Sequence, residues 1–455
     1  MVKLEAAARI IQKPENETRV QNPTVPEADL FDEKELFGIQ AGQYLKKSRN
    51  RILADIEELT RGNRWEDIIS LYHPAEEKIP ELVQAGMDLR VREKVAFALG
   101  QIRQFDEAIK VLKGCVKVEP DNFYSRASLA YTAYNSLYAA KNKEIFLAGN
   151  SRADRVALAH ENFKKAQSLR PSGVTNFYRQ GMLYSQIENK PKPALVLFNT
   201  ACFNWEKLSE KEQALRHQEK KNYIKSLYRS ASLLLNAGNG FAALEQIKKC
   251  LAQDEKTNTV DLGFKYFALG KVNFHIDEYQ KARDALLFAL QSSSGGKPVD
   301  FIYELLARTY LAMGKIDRAL ETIEKVPERA RRPYYRWTEA DVLCSAGRYE
   351  HAKKVLVDVV SRDKRSRHIS LLRLAKIDYS LKSWEDAAQY AKKAVSFFRG
   401  KWGNAYYEGL FWQALCTFKS GRVKESESLL IELEDQCRFF PKLDRLAALI
   451  RGTAK

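Results

Sequence analysis

The sequence of 455 residues has few cysteines, and their spacing excludes the usual zinc sites. The six cysteines stand far apart, without a Cys-x-x-Cys pair: Cys115, Cys202, Cys250, Cys344, Cys416 and Cys437. Structural zinc sites use closely spaced thiolates, so this pattern gives no support for such a site. Cys115 and Cys250 stand where comparable segments carry alanine, which predicts small core residues in a reducing compartment.

Long apolar runs are also absent. No stretch approaches the roughly 20 apolar residues that cross a bilayer. The first residues, MVKLEAAARIIQK, form a short amphipathic stretch without the apolar core and cleavage site of a signal peptide. A composition of 45% hydrophobic and 29% charged residues is typical of a foldable, helix-rich chain. We therefore expect a cytoplasmic protein without a transmembrane helix.

The residue patterns of catalysis are missing as well. Six histidines stand singly, without a second ligand at metal spacing: His73, His160, His217, His275, His351 and His368. The segment SSSGGKPVD at 292–300 has Pro298 where a phosphate-binding loop requires serine or threonine. No nucleophile elbow is present. These absences predict a protein that is not an enzyme and that has no cofactor or metal.

What the chain does have is an internal repeat, clearest from Asp300 to Ser366. The segments DFIYELLARTYLAMGKIDRALETIEKVPERARR and PYYRWTEADVLCSAGRYEHAKKVLVDVVSRDKRS follow one pattern about 34 residues apart. A small residue, a glycine and a second small residue recur at equal offsets: Ala307, Gly314 and Ala319, then Ala340, Gly347 and Ala352. Apolar residues at i, i+3 and i+4 predict a helix on each side of the glycine, which ends the first helix. Such a helical hairpin cannot bury its outer faces alone and must stack on neighbours.

The same pair of small residues recurs along the chain: Ala96 with Ala108, Ala231 with Ala243, Gly270 with Ala282, Ala375 with Ala387, and Ala414 with Ser426. This pattern resembles the tetratricopeptide-repeat family, whose closing proline stands here at Pro120 and Pro171. The resemblance covers roughly residues 47–440. It implies an all-α, right-handed superhelical solenoid of about nine to ten antiparallel hairpins, with a C-terminal capping helix.

The pattern divides the chain into four predicted parts. Residues 1–40 form a partly extended arm, 41–86 a divergent first hairpin, 87–440 the repeat array, and 441–455 the capping helix. The sequence leaves open whether the arm packs on the array, binds a partner or stays loosely docked. Insertions near 135–157 and 203–221 predict lengthened helices or an enlarged turn, either functional or merely projecting into solvent.

The resemblance implies that the first helices of successive hairpins line a concave groove. Helical projection places nine candidate partner-binding residues there: Tyr131, Tyr178, Tyr228, Phe267, Lys271, Arg308, Trp337, Lys376 and Phe411. Aromatic area with alternating charge suits a peptide or helix of another protein. Alternatively, several of these aromatics contact the adjacent hairpin. The Lys and Asn clamp of chaperone-binding relatives is missing, since one unit has Glu93 and Phe97 at those places, so a chaperone tail is not expected.

Positive charge is in excess, with 75 Lys and Arg against 58 Asp and Glu and a net charge of +17. Two turns at equivalent places, ERARRPYYRW (328–337) and SRDKRSRH (361–368), concentrate it. Stacking would align them in a basic edge: Arg329, Arg331, Arg332, Arg336, Arg362, Lys364, Arg365 and Arg367. This edge suits an acidic protein surface or a phosphate backbone, with tyrosines alongside for stacking, but basic turns are also ordinary solubilising features.

Two functions are compatible with these features. The first is a protein–protein interaction scaffold or adaptor in a multiprotein assembly, which binds an acidic peptide or helix of a partner subunit. The alternative is a nucleic-acid-associated subunit of a ribonucleoprotein complex that uses the basic edge. Repeat proteins that recognise one base per unit need paired polar residues at fixed places. The comparable places here hold Ala127, Tyr178, Tyr228 and Phe267, so we favour the adaptor, with no membrane or small-molecule partner.

Overall fold

A computed structural model of the chain describes residues 33–293 and 299–452, with only the backbone for residues 33–40. All regular structure in these ranges is helical. Residues 1–32 of the predicted arm lie outside the described residues, and the first helix begins at Glu33. The described chain divides into two compact units, one ending at Thr132 and the other starting at Ala133.

The first unit contains six helices and the start of a seventh. They are α1 (Glu33–Arg61), α2 (Trp65–Tyr72), α3 (Ala75–Lys78), α4 (Pro80–Gln84), α5 (Leu89–Gln101), α6 (Phe105–Val118) and the first half of α7 (Phe123–Lys141). Helices α1 and α2 form a first pair, and α5 and α6 pack against each other as a second.

The second unit continues from α7 as a series of helical hairpins. Its helices are α8 (Gly149–Leu169), α9 (Thr175–Met182), α10 (Pro191–Glu206), α11 (Glu210–Leu215), α12 (His217–Asn236), α13 (Gly240–Gln253), α14 (Leu262–His275), α15 (Tyr279–Ser292), α16 (Asp300–Ala312), α17 (Ile316–Glu324), α18 (Pro333–Ser345), α19 (Tyr349–Arg362), α20 (Arg367–Ser380), α21 (Trp384–Trp402), α22 (Tyr407–Lys419), α23 (Val423–Gln436) and α24 (Leu443–Gly452). A π-helical turn, Leu183–Ile187, continues α9, and a 3₁₀ turn, Glu328–Ala330, precedes α18.

Nine pairs of consecutive helices pack against each other within the described ranges and confirm the predicted all-α helical-repeat fold of about nine to ten hairpins. In the two hairpins where the repeat is clearest, a left-handed glycine sets the turn between the two helices, as the sequence predicts. At Gly314 the backbone φ is +71°, and the amide of Lys315 donates to the carbonyl oxygen of Tyr310 at 2.9 Å. The same arrangement recurs at Gly347, where φ is +73°. Only glycine adopts this conformation without steric strain, which explains why it ends the first helix.

Small residues stand where the two helices of a hairpin approach most closely. Ala307, Ala319, Ala340 and Ala352 are almost fully buried in the clusters between helices. At Gly270 an added Cβ would lie 2.7 Å from Cγ of Leu286. A larger side chain at these positions would push the helices apart, since protein interiors are close-packed.

The last helix, α24, caps the array. Leu443, Leu446 and Ile450 are buried on one side of it, one helical turn apart, and pack with Leu430 and Leu433 of α23. The predicted capping helix is therefore confirmed, because this stripe covers apolar side chains that the last hairpin would otherwise expose.

Both insertions contribute to helices. Helices α7 and α8 have 19 and 21 residues, whereas α13, α15, α19 and α23 each have 14. In the second insertion, α10 ends at Glu206, the short α11 follows, and α12 begins at His217. What these insertions do, and the domain boundaries given above, remain predictions.

Candidate partner-binding face

The first helices of successive hairpins lie side by side in the second unit. Helices α9, α12, α14, α16, α18, α20 and α22 each contact the next one in this order. We call the surface that they share the first-helix face. Eight of the nine candidate partner-binding residues lie on these helices. Tyr131 lies on α7 in the first unit and is half-buried.

Four of the predicted aromatic residues are half-buried by neighbouring side chains of the array. The ring of Tyr178 lies 5.9 Å from that of Phe198, and the ring of Phe411 lies 5.4 Å from that of Phe440. Tyr228 packs against the core around α12 and α13, where burial raises its pKa. Trp337 donates its indole N–H to Oγ of Ser370, on the next first helix, at 2.8 Å.

Polar contacts link each first helix to the next over the second half of the face. Thr338 donates to Oε1 of Glu304 at 2.6 Å, and Nζ of Lys376 lies 2.7 Å from Oε1 of Glu408. Arg373 donates to both carboxylate oxygens of Asp341, at 3.1 and 3.2 Å. These partners stand 32 to 34 residues apart in the chain. The charge of Lys376 is therefore already compensated by the neighbouring helix.

Two predicted cations remain at the surface near the middle of the face. Lys271 is exposed and forms no ion pair with any described residue. Arg308 is about half exposed; its nearest carboxylate, Glu304, is 3.7 Å away. Its guanidinium lies 4.9 Å from the ring centre of Phe274. Burial raises the pKa of Glu304, and the hydrogen bond from Thr338 and the charge of Arg308 oppose that shift.

Beside these cations lies a group of three phenylalanines, which we call the aromatic patch: Phe264, Phe267 and Phe301. Phe264 stacks nearly parallel on Phe301, with ring centres 5.9 Å apart, and Phe267 meets Phe301 edge-on at 4.6 Å. Phe264 is 41% exposed although it is a large apolar side chain. The patch therefore presents apolar area to solvent next to Lys271 and Arg308.

Sequence reasoning missed Phe264 and Phe301. Phe264 precedes Phe267, one of the predicted groove residues, by three positions, and Phe301 precedes Glu304 by the same spacing. Residues three apart share a helix face, so this spacing was the available signal. The spacing alone does not show that Phe264 and Phe301 meet. Their contact depends on how α14 packs beside α16, which is visible only in the assembled structure.

The structure brings the two turns of the basic edge together around a cavity of about 540 Å³. Arg329, Arg331, Arg336 and Arg362 line it, together with Glu328, Asp358 and Asp363. Most of these arginines have carboxylate partners. Nη1 of Arg331 lies 2.6 Å from Oε1 of Glu339, and Nε of Arg362 lies 2.9 Å from Oδ1 of Asp358.

The other cations of the basic edge fall into two groups. Arg336 also reaches Glu339, at 3.3 Å, and Arg332 forms two hydrogen bonds with Asp300, at 2.6 and 2.8 Å. Burial tends to raise the pKa of Asp300, but the hydrogen bonds from Arg332 and Tyr334 outweigh it and lower that pKa. In contrast, Lys364 and Arg365 are exposed cations without an ion pair among the residues described.

No group of three metal-ligating side chains was found among the described residues. None of the described helices is long and apolar enough to span a membrane.

Stacked antiparallel hairpins with small residues at their crossings define a helical-repeat protein. The family model of the tetratricopeptide repeat matches residues 302–331, which cover α16, α17 and the turn that follows. The match identifies this hairpin as a tetratricopeptide repeat, and the other hairpins of the described residues repeat its arrangement.

Several solved structures are similar to this chain. Pseudomonas aeruginosa PilF is 14% identical over 56% of this chain and 97% of its own, with a TM-score of 0.41. A tetratricopeptide repeat protein from Parabacteroides merdae is 16% identical over 64% and 98%, with a TM-score of 0.42. Yeast Tom70 is 13% identical over 90% and 96%, with a TM-score of 0.40. At these low values the likenesses carry no argument about function. No curated protein sequence matches the chain significantly.

Proposed function

We propose that this protein is a non-enzymatic adaptor that binds a peptide or helix of a partner protein on its first-helix face, within a multiprotein assembly. The observation that carries the proposal is the aromatic patch, with Phe264 41% exposed, beside the exposed cations Lys271 and Arg308. Exposed apolar area rimmed by charge is typical of interaction sites rather than of ordinary surface.

The chemistry of the patch specifies the partner. An apolar side chain that covers Phe264 and Phe301 would bury aromatic area, the main source of energy in small interfaces. An acidic residue one or two turns further along would pair with Lys271 and Arg308 and fix the register of the peptide. The partner segment is therefore apolar and acidic.

The thiols agree with a non-catalytic protein in a reducing compartment such as the cytoplasm. Burial raises the pKa of Cys115, Cys202, Cys250 and Cys416 to about 12. A buried thiol with such a pKa stays protonated near neutral pH and is a poor nucleophile. The alternative function, nucleic-acid binding by the whole basic edge, is less well supported, because four of its arginines are paired with carboxylates.

The proposal is tested with a displayed library of random peptides selected on the full-length protein. Selected peptides should combine apolar with acidic residues. Phe264→Ala and Lys271→Glu should each weaken binding of a selected peptide by about tenfold or more, as expected for residues at the centre of an interface. Phe241→Ala is the control, since Phe241 is a phenylalanine that is even more exposed, at 74%, and lies on the second helix α13. Peptides that bind both variants as tightly as the unchanged protein would contradict the proposal.

A further inference from the structure

Helix α21 extends beyond its equivalents and builds a surface that the first-helix face does not include. It has 19 residues, against 14 in the second helices α19 and α23 on either side. The extra length follows Phe397, carries Phe398, Lys401 and Trp402, and ends before Gly403, whose φ is +72°. Nζ of Lys401 donates to the carbonyl oxygens of Lys364, at 2.6 Å, and of Arg365, at 3.3 Å. The extension is thereby held over the second turn of the basic edge.

Aromatic rings fill the space between this extension and the turn. Phe398 lies 4.6 Å from Trp402 and 4.9 Å from Tyr406, measured between ring centres. The ring of His368 lies 5.0 to 5.1 Å from these three rings, and burial lowers its pKa. Trp402 is nevertheless 41% exposed, so part of its indole faces solvent.

Positive charge dominates around these rings. Residues 361–369 and 392–404 hold eight lysines and arginines but one acidic residue, Asp363. Among the described contacts, only Arg362 and Arg399 form ion pairs, with Asp358 and Glu432. The positive charge of the second turn is therefore mostly unpaired, whereas most arginines of the first turn are paired with carboxylates.

Three buried polar atoms in the turn lack a hydrogen-bond partner among the described residues. They are Oδ2 of Asp363, Nε of Arg367 and Nδ1 of His368. His368 as a whole is nine-tenths buried, and the guanidinium of Arg367 lies 5.5 Å from the ring centre of Phe397. Buried polar groups are normally satisfied, so three unsatisfied atoms within six residues indicate that a polar ligand or water completes the site.

The geometry points to a binding site for single-stranded nucleic acid at this place, which we call the basic–aromatic patch: Lys364, Arg365, Arg367, Phe397, Lys401 and Trp402. A base would stack on the exposed part of Trp402, and Lys364 and Arg365 would bind flanking phosphates. Carboxylate side chains would satisfy the cations but supply no ring for the indole. Duplex DNA keeps its bases stacked inside, so the site selects a single strand.

This site is separate from the proposed peptide site and independent of it. The aromatic patch lies on α14 and α16, whereas the basic–aromatic patch lies on the turn before α20 and the end of α21. Lys401 is a positioning residue here, because its ammonium group holds the carbonyls of the turn.

The test measures binding of a fluorescent 20-nucleotide oligouridine to the full-length protein over a range of salt concentrations. Binding should weaken with salt, with a slope of about −2 in a double-logarithmic plot if three phosphates are neutralised. Lys364→Glu with Arg365→Glu should lower the affinity and should reduce the magnitude of the slope by about 1.4. Trp402→Ala should lower the affinity about tenfold and leave the slope unchanged, since stacking releases no counterions.

The matched control is Lys248→Glu with Lys256→Glu, an equal change of charge on exposed lysines outside the patch. It should bind the oligonucleotide with the salt slope of the unchanged protein. The double variant Lys364→Glu, Arg365→Glu concerns exposed side chains and should leave the selected peptides of the previous section bound as before. A failure of peptide binding at the aromatic patch can therefore be distinguished from a failure of oligonucleotide binding at the basic–aromatic patch.

Four outcomes would overturn the inference. The first is that oligouridine does not bind at low salt, and the second is that a duplex binds as tightly as oligouridine. The third is that polyglutamate displaces oligouridine at equal charge concentration. The fourth is that the Lys364→Glu, Arg365→Glu variant and the Trp402→Ala variant both bind oligouridine as the unchanged protein does. Displacement by polyglutamate would identify an acidic peptide as the natural occupant instead.

Discussion

Lys265 and Asp254 form an ion pair inside the protein, on α14 and at the end of α13. Their side chains are 1% and 0% exposed, and Nζ lies 2.8 Å from Oδ2. Asp254 also accepts hydrogen bonds from the amides of Thr259, at 2.6 Å, and Val260, at 2.9 Å. Burial tends to raise the pKa of Asp254, but the hydrogen bonds from Lys265, Thr257 and these amides outweigh it and lower that pKa. The pair thereby fixes the turn between two hairpins.

We expect Lys265→Met to lower the free energy of unfolding by about 3–5 kcal/mol, because it leaves a buried carboxylate without its cation. Urea unfolding of the full chain measures this. Adding Asp254→Asn to Lys265→Met should recover part of the loss, since the amide oxygen still accepts from the turn without carrying a charge. If the free energy of unfolding of Lys265→Met lies within about 1 kcal/mol of that of the unchanged protein, the carboxylate of Asp254 is solvated or neutralised in the variant.

The ion pair of Lys265 and Asp254 also predicts how the free energy of unfolding changes at acid pH. A carboxyl whose pKa is lowered by folding stabilises the protein at every pH above its unfolded value of about 3.9. That contribution decreases as the pH falls through the lower, folded value. The difference in unfolding free energy between the unchanged protein and the Asp254→Asn, Lys265→Met variant, in which this pair no longer titrates, should therefore become smaller as the pH falls below about 4.

At the scale of elements, each hairpin depends on the residue that ends its first helix. Gly314 and Gly347 have left-handed φ values, and Lys382 adopts φ of +63° at the equivalent place after α20. The amide of Ser383 then donates to the carbonyl oxygen of Asp378 at 2.9 Å, as the amide of Lys315 does to Tyr310. The same type of turn is thus formed by glycine at positions 314 and 347 and by lysine at position 382. The lysine bears steric strain that glycine avoids.

Gly314→Ala should lower the free energy of unfolding by about 1 kcal/mol, and Lys382→Gly should raise it by about 0.5–1 kcal/mol. No atom lies within 4 Å of a Cβ built on Gly314, so the expected loss comes from the backbone and not from a clash. Thermal unfolding measures both changes. Lys382→Ala serves as the control, because it removes the long side chain but keeps a Cβ at the left-handed position. Equal melting temperatures for Lys382→Gly and Lys382→Ala would argue against backbone strain.

At the scale of the whole molecule, a repeat array needs its ends covered, because each hairpin buries one face only against its neighbours. Helix α24 provides this cover at the C-terminal end through Leu443, Leu446 and Ile450. Distribution of charge is the second property at this scale. The net charge of +17 is partly compensated within the first turn of the basic edge and remains largely uncompensated at the second.

Truncation after Lys442, which removes α24, should lower the free energy of unfolding by roughly 3 kcal/mol or more, since each of its buried leucines contributes about 1.5–3 kcal/mol. It should also cause self-association, because Leu430 and Leu433 become exposed. Thermal unfolding and analytical ultracentrifugation measure the two effects. Truncation after Gly452 keeps α24 intact and is the control. A monomeric protein with an unchanged melting temperature after the longer truncation would show that α24 does not cap the array.

The local part of the structure was determined by the sequence itself. Apolar spacing, Gly314 and Gly347, and the small residues at the helix crossings predicted the hairpins, their number and the capping helix. Each of these signals acts within one turn or one pair of helices, so a single segment carries it. Alanine at a crossing has the same steric consequence in every unit.

The tertiary structure alone decided which surface residues remain available. Contacts such as Arg332 with Asp300 and Lys376 with Glu408 join residues 32 apart, and no local pattern tells which cation meets which carboxylate. Stacking of the hairpins neutralised the first turn of the basic edge, exposed Phe264 beside Lys271, and set Trp402 over the second turn. The sequence thus determined the repeating unit, whereas the register between units, which fixes distances across the stack, determined the candidate sites.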